Sequence, residues 1–198
     1  MFTEMGARKY TKSKRADQQG KTRKRIVKAA VALHEKLGPA NTSIKAVAEK
    51  AGVQRLTVYR HFPNEESLFL ACSSDYFKEN PPPDIAQWVG ITDAAKRCHA
   101  AISAFNLYYR STADMLDSVY RDINKVESLK RPMAEFEGYL NMISDDLLTA
   151  LKLRGTRKKQ CLITLRHCLK FTTWKSLKDE NLQDKQITKL MMSWISQQ

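Results

Sequence analysis

The stretch VAEKAGVQRLTVYRHF, residues 47–62, predicts two short helices joined by a tight turn. Gly52 stands at the centre of that turn, and glycine accepts the positive φ that two sharply crossing helices require between them. Small or apolar residues flank the turn where the helices would pack most closely: Val47, Ala48, Val53 and Val58. The pattern is that of a helix–turn–helix unit.

The second helix of this unit carries more long polar side chains than a short solvated helix needs. In a helix that reads DNA, the N-terminal residues reach base edges in the major groove, where arginine pairs with guanine and glutamine with adenine. The expected base contacts are Gln54, Arg55, Leu56 and Thr57. The side chains nearer the other end suit phosphate oxygens, and they are Tyr59, Arg60 and His61. Tyr59 could instead pack its ring inward and expose only its hydroxyl.

The charge of the chain is concentrated around this unit. The net charge is +13, and residues 1–70 hold 15 Lys and Arg against 6 Asp and Glu, whereas residues 71–198 hold 19 against 15. A positive field of this kind attracts a polyanion, which is either nucleic acid or an anionic membrane surface. Nucleic acid is favoured because the basic residues have no apolar partner face that would enter a membrane.

The composition is that of an ordinary globular protein. The chain has 198 residues, of which 42% are hydrophobic, so a packed core is expected. It contains no run of about 18 apolar residues, which a transmembrane helix needs. The N-terminal segment has no apolar stretch that could act as a signal sequence, and a cytoplasmic protein is therefore expected.

Changes in composition and helix-breaking residues along the chain predict three regions. Residues 1–20 are polar and non-periodic and predict a disordered basic arm. Residues 21–79 predict the helix–turn–helix domain with a linking fourth helix, with helices at about 21–37, 44–51, 54–61 and 65–77. Three successive prolines at 81–83 end that domain, because they cannot lie inside a helix.

Residues 80–198 predict a larger helical domain. Periodicity places its helices at about 92–112, a kinked region 113–131, 133–153, 156–178 and 184–196, with Pro132 and Gly155 as separators. No segment alternates like a β-strand. The predicted fold class is therefore all-α, with an N-terminal three-helix DNA-binding domain followed by this larger domain.

The four cysteines predict buried thiols. Cys161, His167 and Cys168 are near enough in sequence to suggest a metal site. However, Cys161 and Cys168 share a helix face, where small apolar side chains belong. No metal and no cofactor is expected.

The helix–turn–helix segment resembles the DNA-binding domain of TetR/AcrR-family transcriptional repressors. That family has a Thr-Thr or Thr-Ser entry, an Ile-Ala pair, an Ala-Gly-Val turn, a Thr-(Leu/Val)-Tyr step, an aromatic-Phe exit and a leucine in the next helix. The matching residues in this chain are Thr42-Ser43, Val47-Ala48, Ala51-Gly52-Val53, Thr57-Val58-Tyr59, His61-Phe62 and Leu68. The resemblance covers about residues 22–72.

The resemblance implies the plan of the whole chain and several residue roles. It implies three N-terminal helices, a linking helix, and a larger helical domain for ligand binding and dimerisation. Thr42 and Ser43 would cap the second helix and touch phosphate, Gln54 to Thr57 would contact bases, and Tyr59 and His61 would contact phosphate. Two positions depart from the family pattern: Glu65 replaces a phosphate-binding lysine, and Gln54 replaces a small serine cap. The ten Lys and Arg in residues 1–30 could offset the missing lysine.

The larger domain offers candidates for two further roles. Aromatic and sulfur-containing side chains cluster in residues 99–142 and suit either a ligand pocket or a plain core, and they are His99, Phe105, Tyr108, Tyr109, Met115, Tyr120, Phe136, Tyr139 and Met142. The last two helices would pair with their copies in a four-helix dimer interface. Its candidate residues are Leu162, Leu165, Leu169, Leu190, Met191, Trp194 and Ile195.

These features predict a ligand-responsive transcriptional regulator, a repressor by resemblance, that binds a pseudo-palindromic double-stranded operator as a homodimer. One alternative is a regulator of the same shape controlled by a protein partner without a small ligand, which a filled core would favour. A second alternative is an enzyme that modifies nucleic acid. No local catalytic motif is present, although a catalytic triad can assemble from distant positions. An enzyme is therefore not expected.

Overall fold

The computed structural model describes residues 4–197, and within that range the chain forms helices and no strand. The α-helices are α1 (Glu4–Leu37), α2 (Ile44–Ala51), α3 (Arg55–His61), α4 (Glu65–Glu79), α5 (Ala94–Asp122), α6 (Lys130–Leu151), α7 (Gly155–Cys168), α8 (Phe171–Asp179) and α9 (Asp184–Ser196). Short 3₁₀ turns lie at Pro39–Asn41, Ile85–Gln87 and Glu127–Leu129. The all-α prediction is confirmed. None of the described helices is both long enough and apolar enough to cross a membrane.

The chain divides into two compact units. The first unit comprises the described residues up to Glu79 together with Ser118–Leu129, and the second comprises Asn80–Asp117 and the residues from Lys130 onward. The sequence placed Ser118–Leu129, the last turn of α5 and the segment after it, in the larger domain. The structure groups this segment with the first unit, where the buried Asp122 accepts a hydrogen bond of 3.0 Å from the backbone N–H of Ala40.

One face of α1 forms the floor of the first unit. Ile26 and Ala30 are fully buried there, and Val27 is nearly so. They share a core with residues from the next three helices: Val47, Ala48, Ala51, Val58, Phe62, Leu68 and Cys72. This core holds the helix–turn–helix against α1 and α4.

The structure differs from the sequence prediction at the N-terminus. Helix α1 begins at Glu4, whereas apolar periodicity predicted a start near Lys21 and a disordered arm over residues 1–20. Residues 1–3 lie outside the described range. The reason for the difference is that the arm is rich in residues that favour helix, and it contains no proline. Apolar periodicity indicates a helix only where it packs on a core, so it did not predict the part of α1 before Lys21.

Three boundaries of the second unit also differ from the prediction. Pro132 lies in the first turn of α6, where a missing N–H costs nothing, and it does not separate two helices. The predicted helix 92–112 and the predicted kinked region 113–131 are replaced by the continuous α5 and a short turn. The predicted helix 156–178 is divided at Leu169–Lys170 into α7 and α8, and the predicted 184–196 agrees with α9.

Candidate nucleic-acid interface

The turn between α2 and α3 has the geometry that the sequence predicted. Gly52 has φ 62° and ψ 43°, the left-handed conformation that favours glycine. The N–H of Val53 donates to the carbonyl of Ala48 over 2.9 Å, which closes the end of α2. At the other end of α2, the Oγ of Ser43 accepts from the N–H of Ala46 over 3.1 Å. Both ends of this eight-residue helix are therefore fixed.

Arg25 of α1 holds the same turn from the opposite side. Its Nε donates to the carbonyl of Ala51 over 3.2 Å, and its Nη2 donates to the carbonyls of Ala51 and Gly52 over 2.8 and 3.1 Å. A cation at these carbonyls also complements the negative end of the α2 dipole. The sequence analysis counted Arg25 only among the ten Lys and Arg of residues 1–30, and no local signal could have shown that its partners lie 26 and 27 residues away.

Helix α3 is anchored by one side and exposed on the other. Val58 is fully buried and Phe62 is 2% exposed, whereas Leu56 is 66% exposed and Tyr59 is 44% exposed. The ring of Tyr59 therefore does not pack inward. An apolar partner would remove the exposed Leu56 side chain from water, and a thymine methyl is a suitable partner of this kind.

The other predicted base contacts lie at the same end of α3. Gln54 and Arg55 are exposed, and Thr57 is half-buried. Gln54 occupies the N-cap position with extended backbone, but its side chain makes no capping hydrogen bond. Its amide is therefore not used to cap α3.

The C-terminal part of α3 gathers the predicted phosphate contacts. The Nη2 of Arg60 donates to the Oγ1 of Thr57 over 3.1 Å, which holds the exposed guanidinium along the helix. His61 is half-buried. The Cζ of Arg23 lies 4.7 Å from the centre of the Phe62 ring, a cation–π contact from α1. Gln18, Gln19 and Thr22 of α1 line a cleft of about 400 Å³ with Thr57, Arg60 and His61.

Thr42 and Ser43 have different roles, although the resemblance implied the same role for both. Only Ser43 caps α2. The hydroxyl of Thr42 donates to the carbonyl of Gly38 over 2.9 Å and so closes the 3₁₀ turn Pro39–Asn41. The capping role implied for Thr42 was wrong, because Ser43 directly precedes Ile44 and its side chain makes the capping hydrogen bond.

Glu65 lies exposed in the first turn of α4. Asn64 caps that helix, since its Oδ1 accepts from the N–H of Ser67 over 2.9 Å. A carboxylate in the first turn stabilises the helix but repels phosphate. The expected cation is therefore missing at this position, while exposed Lys21, Lys24 and Lys28 stand on α1.

Most of the predicted pocket aromatics lie in a close-packed cluster within the second unit. Phe105 and Tyr109 are fully buried with ring centres 5.8 Å apart, and Tyr109 lies 5.6 Å from Phe171. Tyr108 and Phe136 are buried beside them with ring centres 6.4 Å apart. Rings at these separations are in contact. This part of the cluster therefore forms core, and a pocket-lining role for these residues stays a prediction.

The remaining pocket candidates are scattered. Met115 is buried and Tyr120 is half-buried, whereas His99 and Met142 are exposed. Tyr139 is half-buried, and its hydroxyl donates to the carbonyl of Pro83 over 2.7 Å. The prediction for His99 was wrong, because its neighbour Cys98 occupies the inward face of α5 and directs His99 to the surface.

Four of the predicted dimer contacts are buried inside their own chain. Leu165, Leu169 and Met191 are fully buried, and Ile195 is 6% exposed. They were wrongly assigned to a surface, because the division of the predicted long helix lets α7 and α9 pack on each other within one chain, and Cys168 and Met191 meet there. Leu162, Leu190 and Trp194 are half-buried, and their role at an interface stays a prediction. Ile163, which the sequence analysis did not select, is 51% exposed on α7.

The four cysteines are buried free thiols, as predicted. Burial raises the pKa of Cys72, Cys98 and Cys168 to about 12, so these thiols stay protonated. Within the range that the structure describes, no three potential metal-ligating side chains gather at one place.

Comparison with known proteins agrees with this geometry. Residues 26–72 match the family model of bacterial regulatory proteins of the tetR family. No curated protein matches the chain in sequence. Among solved structures, a TetR-like transcriptional regulator from Rhodococcus sp. RHA1 is 16% identical with a TM-score of 0.62, and the match covers 88% of this chain and 93% of that one.

Two further structures show the same fold. A mutant of the protein HlyIIR is 17% identical with a TM-score of 0.60, and the match covers 89% of this chain and 96% of that one. The multidrug binding protein EbrR, complexed with imidazole, is 18% identical with a TM-score of 0.57, covering 87% of this chain and 89% of that one. The chain therefore has the fold of these regulators, and the resemblance drawn from the sequence is confirmed.

Proposed function

We propose that this chain, which carries the DNA-binding domain and the fold of TetR-family transcriptional regulators, is a ligand-responsive repressor that binds a pseudo-palindromic operator as a homodimer. The observation that carries the proposal is the two-sided character of α3. Val58 and Phe62 anchor the helix in the core, and Leu56 is 66% exposed between the exposed Arg55 and the half-buried Thr57. A rigid helix that presents apolar and hydrogen-bonding groups together suits the major groove.

The proposed contacts divide into two kinds. Gln54, Arg55, Leu56 and Thr57 read base edges, whereas Tyr59, Arg60, His61 and Ser43 position the helix on phosphates. The cations of α1 add sequence-independent affinity, which falls as salt rises. Because Glu65 supplies a negative charge where a cation would add affinity, we expect the cations of α1 to account for much of the salt dependence of DNA binding.

The homodimer places two copies of α3 in successive major grooves. A two-fold protein dimer requires two half-sites one helical turn apart, or a multiple of it, which makes the operator a pseudo-palindrome. The half-buried Leu162, Leu190 and Trp194 and the exposed Ile163 are the candidates for the contact between copies. Such a regulator would act in the cytoplasm, where operators are accessible.

The response to a ligand is a separate part of the proposal. EbrR is a multidrug binding protein of the same fold, and a ligand that binds two arrangements of the dimer with different affinity would shift DNA binding. The packed rings of Phe105, Tyr109 and Phe171 instead favour the alternative of a regulator controlled by a protein partner. Size-exclusion chromatography with light scattering tests the dimer, and titration of labelled operator with the protein tests the repressor's binding step. A monomer at micromolar concentration that still binds a two-fold site would contradict the dimer.

A further inference from the structure

A cavity of about 410 Å³ lies within the first unit, beside the start of α2. Its walls come from the end of α1, the 3₁₀ turn Pro39–Asn41, the first turns of α2 and α4, and residues 125–128. The volume lies in the usual range of small-molecule sites, roughly 300–1,000 Å³. No sequence pattern predicted this cavity, because five separate segments contribute its walls.

The cavity has an apolar side and a polar side. Val47, Leu68 and Phe69 are buried in its wall, and Ile44 and Val126 are half-buried there. The charged lining residues Glu65, Lys125 and Glu127 are exposed and therefore stand where the cavity meets solvent. A molecule inside would contact apolar side chains on one side and water or charges on the other.

His34 is the deeply buried polar side chain of this wall. It is 5% exposed, and its ring stacks on that of Phe69 with centres 4.8 Å apart and planes 7° apart. Burial lowers the pKa of His34 to about 4, so the imidazole is neutral near pH 7 and offers one donor and one acceptor. The ring nitrogens of His34 are not among the fully enclosed, unpaired side-chain atoms of the described residues, so the imidazole keeps an edge open to the cavity. A buried polar group open to a cavity calls for a partner there, which is water or a ligand.

We propose that this cavity binds a small uncharged molecule with an apolar ring or chain and one hydroxyl or carbonyl group, which hydrogen-bonds to His34. The apolar part packs on Ile44, Leu68 and Val126. A charged ligand is excluded from this depth, because the same desolvation that disfavours an imidazolium disfavours any unpaired ion.

A molecule in this cavity contacts the DNA-reading unit directly. Its walls include Thr42 and Ile44, which flank the Ser43 cap of α2, and Leu68 and Phe69 of α4. If the proposed DNA-binding function holds, a ligand here changes operator affinity wherever it prefers one arrangement of α2 and α4. By thermodynamic reciprocity, operator DNA then changes ligand affinity by the same factor.

The test uses the full chain labelled with ¹³C and ¹⁵N on histidine, with phenol and 4-methylphenol as probes. We expect the ring signals of His34 to shift and to saturate with a dissociation constant on the order of 1 mM, as suits probes of this size. The exposed His99 and His167 serve as internal controls whose signals stay unchanged. Absence of a saturable shift at His34 would mean a cavity that holds water only and would overturn the proposal.

Two variants test the assignment by ligand-observed NMR, each checked for folding by circular dichroism. Val126→Trp fills the cavity and should abolish probe binding, whereas full binding would place the site elsewhere and contradict the proposal. His34→Phe keeps the ring stack on Phe69 but loses the hydrogen bond, so we expect binding about 2- to 12-fold weaker. The matched control His167→Phe, at an exposed position of α7, should leave probe binding unchanged. Equal affinity in His34→Phe and the wild type would refute the role of His34.

These measurements are independent of the proposed function. Failure of the unliganded chain to bind any DNA would contradict the regulator, while the shift of His34 would still report the cavity. A His34 that does not respond would contradict the cavity alone.

Discussion

Replacing Arg25 with alanine should loosen the turn between α2 and α3. The guanidinium makes three contacts to the carbonyls of Ala51 and Gly52, at 3.2, 2.8 and 3.1 Å. Alanine leaves these carbonyls to water and removes the cation from the negative end of α2. The turn that orients α3, the proposed DNA-reading helix, then loses its clamp from α1.

The size of the effect follows from the exposure of the contact. Hydrogen bonds from charged donors contribute about 1.5–3 kcal/mol when buried, and a cation at a helix C-terminus contributes about 0.3–1 kcal/mol. Because Arg25 is exposed and water replaces its contacts, the three together should stabilise the unit by only about 1–2 kcal/mol. Arg25→Lys keeps the charge but not the planar fork, so it should retain about 0.3–1 kcal/mol of this.

The assay is denaturant unfolding followed by circular dichroism, with Lys24→Ala as the matched control. Lys24 is the exposed neighbour of Arg25 on α1, and its replacement by alanine removes the same charge. We expect Arg25→Ala to lower the free energy of unfolding by about 1–2 kcal/mol and Lys24→Ala to leave it within about 0.5 kcal/mol. Arg25→Ala should also lower operator affinity further than Lys24→Ala does. Equal stability of the two variants would refute the clamp.

Arg55→Ala should weaken binding to the selected operator by about 1–3 kcal/mol and relax specificity at one base pair. An equal loss of affinity for random DNA in a fluorescence-anisotropy titration would contradict the base-reading role of Arg55. Gly38→Ala should destabilise the chain by about 1–3 kcal/mol in denaturant unfolding, because φ is +86° with ψ 152° and the new Cβ would lie 2.5 Å from an oxygen of the buried Asp122 carboxylate. Gly138→Ala is its control, since a Cβ there meets nothing within 4 Å. Burial lowers the pKa of His34 from 6.5 to about 4, so the unfolded chain binds the proton more readily and stability should fall as pH falls from 6.5 towards 4. By linkage, the free energy of unfolding should fall by about 3 kcal/mol over this pH range. Urea titrations at each pH measure it, and His34→Phe should remove most of this pH dependence. The charged residues Glu65, Lys125 and Glu127 line the same cavity and are present in both proteins.

The helix–turn–helix could be predicted from the sequence because its determinants are local. Gly52 sets the turn, Ser43 caps α2 within three residues, and Val58 and Phe62 follow helical periodicity into the core. The same locality makes the exposed end of α3 visible in the sequence, since Gln54, Arg55 and Leu56 fall off the periodic apolar face that Val58 and Phe62 share. Confirmation of the family resemblance rests on this short segment.

The contacts that the sequence could not reveal join distant residues. Arg25 reaches a turn 26 residues away, and Asp122 binds the N–H of Ala40 across 82 residues. Burial alone would raise the pKa of Asp122. The Ala40 N–H and the Arg121 guanidinium lower that pKa by more than burial raises it, so it lies below its usual range. Such partners depend on how helices pack, which a one-dimensional pattern does not contain.

The prediction of which residues are buried in the second unit failed for a related reason. Every amphipathic helix has an apolar face, but the sequence does not state whether that face meets its own chain or a second copy. Leu165 and Met191 have the pattern of a dimer seam and lie fully buried in one chain. The half-buried Leu162 and Trp194 share the same helices and look no different in the sequence.

The central claim is that α3 reads DNA, and selection of bound sequences from random duplex DNA tests it most directly. The full chain should enrich a two-fold symmetric site whose half-sites are centred one helical turn apart or a multiple of it. A variant with Arg55→Ala should enrich the same site with one position in each half relaxed. No enrichment by the wild-type chain at moderate salt, or enrichment that Arg55→Ala leaves unchanged at every position, would contradict the account.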